Sequence, residues 1–181
     1  MQSDLKENIL TMTYFHGFSL QNEETLFDQY LISSDYCVAG FSYGAQQALE
    51  YAYHSTERIE RLILLSPAFF QTQKSSFIRT QLRYFEAGQE AYVEQLLANV
   101  TSPSNFDLSA FLNVGKKEEL EALLTYTWDK DKIEEIQRRG TIIEVFLGAE
   151  DKIIDAKVTF DFFRRITTTY LLKDAGHVLK A

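Results

Sequence analysis

One cysteine, Cys37, stands in a chain of 181 residues, so no internal disulfide can form and no cysteine-based zinc site can be built. A lone thiol fits a reducing compartment and leaves the fold to rest on packing alone. Long apolar runs are missing too, since Leu62 to Leu65 and Ile142 to Leu147 are far too short to cross a bilayer. Nor does the N-terminus carry the basic region and apolar stretch of a secretory signal. The expectation is a cytoplasmic protein with no membrane partner. Basic residues are scarce, 18 Lys and Arg against 26 Asp and Glu, and the formal net charge of -8 repels a phosphate backbone. No nucleic-acid partner is expected outside a local basic patch. Low-complexity tracts and internal repeats are also absent.

What remains is an ordinary globular composition, 45% apolar with 14 Phe and 10 Tyr, at a length that supports one sizeable core. Residues 1-11 are polar and aperiodic, and read as a flexible leader or as an extension upstream of a chain that begins at Met12. Residues 12-181 form the expected single domain.

Along that domain, Met12 to Phe15 and Tyr36 to Ala39 read as strands that run into glycines. After Gly44 the period changes: Ala45, Ala48, Leu49, Ala52 and Tyr53 follow the spacing of an amphipathic helix. Arg61 to Ser66 returns to strand character around the continuous apolar run Leu62 to Leu65, which suits a strand covered on both faces, and Pro67 ends it. From about 68 to 140 no strand is convincing, while Val93, Leu96, Leu97 and Val100 form one helical stripe and Leu120, Leu123 and Leu124 another; this region is expected to be a helical cap. Strand character returns at Thr141 to Leu147, then a helix bearing Phe162, Phe163 and Ile166, then a strand at Thr169 to Leu172. The alternation implies an α/β fold with about five mainly parallel strands, flanking helices, and the cap between the third and fourth strands.

Gly40-Phe41-Ser42-Tyr43-Gly44 lies between a predicted strand and a predicted helix, the context in which Gly-x-Ser-x-Gly lifts a serine out of a sheet. A serine hydroxyl needs a base, usually an imidazole held in one tautomer by a carboxylate. His177 and Asp151 follow the last and the fourth predicted strands, at the sheet end where Ser42 sits, so all three can converge. Asp151 is favoured over Glu150, Asp155 and Asp174, and Asp155 is better placed to start a helix. An oxyanion hole needs two backbone N–H groups; Tyr43 and Phe18 are the candidates. His16 reads as a structural tie in the Phe18 loop, His54 as solvent-exposed, and Ser66 and Cys37 as core residues. No ligand cluster implies a metal or cofactor.

Phe15-His16-Gly17-Phe18, the Ser42 turn, Leu62 to Pro67 and Asp174-Ala175-Gly176-His177 together resemble the α/β hydrolases, in which serine, acid and histidine follow in that order. The likeness is to a reduced α/β-hydrolase fold, because only about 25 residues separate His16 from Ser42 where a further strand and helix are usual. With Glu50-Tyr51-Ala52-Tyr53 and Ile143 to Gly148, the chain resembles the short pimeloyl-acyl-carrier-protein methyl ester esterases of bacterial biotin synthesis. That resemblance implies release of methanol from a pimeloyl chain carried on acyl carrier protein. Lys74, Arg79 and Arg83 lie in an acid-free stretch over 71-85, and such a patch complements an acidic carrier protein. A broad carboxylesterase, a thioesterase and a non-catalytic binding module on the same fold are the alternatives.

Overall fold

Leu62 and Leu64 point to one side of their strand, Ile63 and Leu65 to the other, and all four are fully buried. Uninterrupted apolar sequence is what a strand needs when both faces are covered. In the computed structural model, which describes residues 11–181, five strands form one parallel sheet: β1 (Thr13–Phe15), β2 (Cys37–Phe41), β3 (Arg61–Leu65), β4 (Ile142–Gly148) and β5 (Thr168–Leu172). The leader expected over 1–11 lies, apart from Thr11, outside the described residues. The second strand begins and ends later than the sequence implied. Gly40 and Phe41 stay in the ladder because they pair with Leu64 and Leu65.

Spatial order equals chain order, β1 to β5 without reversal. Right-handed crossovers that always step the same way put their helices on one face. Helices α1 (Tyr43–His54), α5 (Lys130–Arg138) and α6 (Ala156–Phe163) accordingly share a core with Val38, Leu62, Leu64, Ile143, Val145 and Leu147. Ala45, Ala48 and Ala52 on the inner side of α1 are small enough to let the helix lie close to the sheet. Ile166, expected in the last helix, falls in the turn that follows α6.

The opposite face holds Cys37, Ala39, Phe41, Ile63 and Leu65, and its cover combines the end of one helix, which brings Leu96, Leu97 and Val100, with short turns and irregular segments. Phe27 from a 3₁₀ turn (Glu23–Phe27), Leu31, Val100, Leu108, Val178 and Leu179 cover it. Three further helices stand between β3 and α5: α2 (Ser75–Ala87), α3 (Gln89–Thr101) and α4 (Lys117–Thr125). The two predicted stripes form the buried sides of α3 and α4. Helix α5 packs against α1 and serves the sheet layer rather than the group of α2 to α4. Among the described residues no helix is long and apolar enough to cross a membrane.

Candidate active site

Ser42 sits between β2 and α1 with φ 55° and ψ −111°, a left-handed conformation that a side chain adopts only under constraint. Its N–H donates to the Leu65 carbonyl at 2.9 Å, and its own carbonyl accepts from Ala45 and Ala68, each at 3.1 Å. The flanking glycines are required by contact. A Cβ at Gly40 would lie 2.1 Å from the Gly44 carbonyl oxygen, and one at Gly44 would lie 2.0 Å from that of Phe15. That second approach also presses the loop after β1 against the first turn of α1.

The acid and base arrive by the same device. A Cβ at Gly148, where β4 ends, would lie 2.2 Å from the carbonyl oxygen of Gly176, so the loops after β4 and β5 touch backbone to backbone. Glu150 N–H donates to the Ala175 carbonyl at 2.9 Å across that contact. The next residues on each side are Asp151 and His177. Their side chains are fully buried, and His177 Nδ1 lies 2.5 Å from Asp151 Oδ2. His177 Nε2 lies 2.9 Å from Ser42 Oγ.

The partner groups assign the proton positions. Asp151 Oδ1 already accepts from the N–H groups of Ile153 at 2.7 Å and Ile154 at 3.1 Å, which fixes the carboxylate plane as an acceptor. His177 Nδ1 therefore carries the hydrogen, and Nε2 is free to accept from the serine hydroxyl. Of the competing acids, Asp155 caps α6 through Val158 N–H at 3.0 Å. His54 is exposed at the end of α1, 3.4 Å from Glu50.

Phe18 and Tyr43 both line a polar cavity of about 390 Å³, shared with His16, Asn113 and Glu119, while Ser42 lies outside its lining. Among the described residues, neither backbone N–H has an internal acceptor. Tyr43 opens α1, where N–H groups lack helical partners and the helix dipole favours negative charge. Burial pushes the Tyr43 hydroxyl above its ordinary pKa, so its ring adds no charge here.

Ser42 opens into a second cavity of about 250 Å³, walled by Phe18, Phe41, Phe77, Leu96, Leu123 and Ile153. Its polar fringe is Gln81, Tyr92, Asn99 and Lys152. A larger space of about 590 Å³ lies on the other side of α3, against Val93, Leu97 and Phe106, and does not reach Ser42. The hydrogen-bonded serine, not cavity size, marks the site.

Lys74, Arg79 and Arg83 are exposed at the start of and along α2, and none belongs to an ion pair among the described residues. Phe77 and Gln81 of the same helix line the Ser42 cavity, so the basic side chains flank the cavity wall rather than enter it. One further group has metal-ligand composition, His16 with Glu23 and Glu24, whose ligand atoms lie within 4.8 Å of one another. Glu23 is already committed to the backbone of Gly17 and to His16, which makes it a hydrogen-bond acceptor.

The bonds of two buried polar residues beside the serine turn escaped the sequence. Ser66 is fully buried but donates to the His177 carbonyl at 2.6 Å, and Gln46 donates to the carbonyls of Ala68 at 3.0 Å and Leu123 at 2.9 Å. For Gln46 the signal was present, a polar residue on the buried side of an alanine-rich helix.

No family profile matches the chain, and no curated protein matches it. Solved structures do. MenH from S. aureus superposes with a TM-score of 0.61 at 16% identity, over 93% of this chain and 87% of that one. The hydrolase olei00960 from Oleispira antarctica gives 0.60 at 16% identity, over 79% of this chain and 58% of its own. The fold is a reduced α/β hydrolase. Naproxen esterase from Bacillus subtilis is similar at a TM-score of 0.56 and 17% identity, and this chain covers only 53% of its length. Against proteins of that size, the reduced hydrolase fold spans about half the chain. Identities this low speak for the fold alone, and the chemistry follows from the side chains.

Proposed function

We propose that the chain is a serine carboxylesterase that hydrolyses the methyl ester of pimeloyl-acyl-carrier protein. The observation that carries the reaction type is the continuous hydrogen-bond chain from Ser42 through His177 to Asp151. In this reading His177 Nε2 takes the hydroxyl proton as Ser42 Oγ attacks the ester carbonyl. The N–H groups of Phe18 and Tyr43 receive the oxyanion. His177 then gives its proton to the departing methoxide, releasing methanol and leaving an acyl-serine. Water, deprotonated by His177, attacks that ester, the free acid leaves, and the proton returns to Ser42. Asp151 holds the imidazole in the tautomer that each step needs.

Three features support the substrate. The Ser42 turn, Glu50 to Tyr53 and Ile143 to Gly148 resemble short pimeloyl methyl ester esterases, the Ser42 cavity is mainly apolar and of a size for a short acyl chain, and Lys74, Arg79 and Arg83 offer an unpaired basic face to an acidic carrier. Esterases among the similar structures favour one other reading, a broad carboxylesterase or thioesterase, because the same three residues cleave either bond.

Methanol release from pimeloyl methyl ester on its carrier tests the proposal, with Ser42→Ala as the control. Faster turnover of short free esters or thioesters than of the carrier-bound ester would favour the broad reading. Failure of a fluorophosphonate to label the wild type would leave a binding module. Charge reversal at Lys74, Arg79 and Arg83 is expected to slow the carrier-bound ester and spare a small soluble one; equal loss on both would sink the docking role.

A further inference from the structure

Glu23 is a fully buried carboxylate that the reaction steps do not use. Its Oε1 accepts from the Gly17 N–H at 2.7 Å and from the Tyr14 hydroxyl at 3.5 Å, and its Oε2 lies 2.8 Å from His16 Nδ1. All three partners precede Phe18 by one to four residues. Burying a carboxylate is costly, and here burial pushes the carboxyl above its usual range against the opposing pull of the Gly17 N–H and His16. An apolar residue would fill the space more cheaply, so the position needs an acceptor.

The loop explains the need. Gly17 has no side chain to anchor it, and a Cβ there would lie 2.8 Å from the Phe41 ring. Without outside contacts this peptide would be the softest part of the oxyanion loop. Glu23 grips it on the near side. On the far side the Asn113 N–H donates to the Ser19 carbonyl and the Gly115 N–H donates to Ser19 Oγ, both at 2.9 Å. Phe18 is thus the one residue between two clamps. The Gly17 carbonyl also accepts from Leu20 N–H at 3.1 Å, which polarises the peptide that carries the Phe18 N–H and makes it a better donor.

We propose that Glu23, with His16 as its partner, is the positioning residue of the oxyanion loop, aiming the Phe18 N–H at the oxygen that becomes negative in the transition state. The inference rests on the serine-esterase reading above. A positioning role alters kcat and leaves KM alone, because the donor counts most when charge has developed. The loss of one oxyanion donor costs about 10² to 10³ in kcat, and a misdirected one costs up to that.

The experiment uses Glu23→Leu, which keeps the volume without an acceptor, and Glu23→Gln, which keeps an acceptor for Gly17, on a small soluble ester. Glu23→Leu is expected to lose about 10²-fold in kcat with KM within about threefold, and Glu23→Gln to stay within about fivefold of wild type. Inhibition by a trifluoromethyl ketone, whose serine adduct carries an oxyanion, should weaken in step with kcat/KM. Ester affinity in the Ser42→Ala background should not change. Equal losses in the two variants, a change confined to KM, or unchanged ketone inhibition would overturn the proposal. Should Glu23→Leu not fold, His16→Ala removes only the half-exposed partner; it is expected to lower kcat about three- to tenfold, and unaltered kcat would count against the proposal. A wild type that neither turns over ester nor forms the ketone adduct would remove the esterase reading itself, an outcome distinct from all of these.

Discussion

The Ser66 hydroxyl donates a 2.6 Å hydrogen bond to the main-chain carbonyl of His177, 111 residues further along the chain. Ser66 directly follows β3 with φ 41°, and its N–H donates to the Phe146 carbonyl at 2.8 Å, so one residue ties the end of β3, β4 and the loop that carries the base. Ser66→Ala leaves a buried carbonyl without its donor at a cost of about 1–3 kcal/mol. Urea unfolding should show that loss, and kcat should fall roughly tenfold as His177 gains freedom. Unaltered values of both would mean that the bond is incidental.

Backbone contact at the serine turn makes a second expectation. Gly44→Ala drives a methyl group into the Phe15 carbonyl at 2.0 Å, whereas at Gly88 the nearest atom to an added Cβ is the Ala91 methyl at 3.9 Å. Gly44→Ala should therefore cost more than about 3 kcal/mol or prevent folding, and Gly88→Ala should stay within about 0.5 kcal/mol of wild type. Thermal melts of the two proteins side by side decide it, and similar melting points would refute the contact argument.

Acid sensitivity should depend on Glu50. Burial alone would raise its carboxyl, but hydrogen bonds from Lys132 at 2.8 Å and Tyr126 at 2.7 Å overcome this and hold it below its ordinary value. A carboxyl lowered in the folded state stabilises the fold above its unfolded pKa of about 4.3, and that contribution fades as pH falls through the lower folded value. Lys132→Met should flatten the decline in urea midpoint between about pH 5 and pH 3. Parallel curves for variant and wild type would show that the pair contributes nothing.

Cys37 offers a reporter of unfolding. Burial pushes its thiol up to about 11, so almost no thiolate exists at neutral pH and the sulfur is out of reach of reagents. Iodoacetamide should label the folded protein at the rate of global opening, and quickly in urea. Fast labelling of the folded protein at pH 8 would show that β2 opens locally.

The serine turn and its partners were readable because their chemistry fixes residue types at strand ends, and an apolar run such as Leu62 to Leu65 signals a strand under any packing. Asp155 and the α3 stripe were legible for similar local reasons. The partners of Glu23, Gln46 and Ser66 were not, even though the pattern of α1 puts Gln46 on its buried side, because a buried polar side chain is explained only by a partner elsewhere, and Gln46 reaches Leu123 across 77 positions. The uneven covering of the sheet was hidden as well. Phe27, Leu108 and Val178 lie in short turns and irregular segments without the period that marks a helix.

Because the strands stand in the sheet in the order in which they are synthesised, each new strand has its neighbour already in place, and no gap must be held open for a later arrival. The sheet can grow outward from β1 as the chain emerges. The serine turn follows the second of these strands, and His177 comes after the fifth. A chain cut before β5 thus keeps Ser42 and its flanking glycines but lacks His177, the one residue placed to take the proton from the serine hydroxyl.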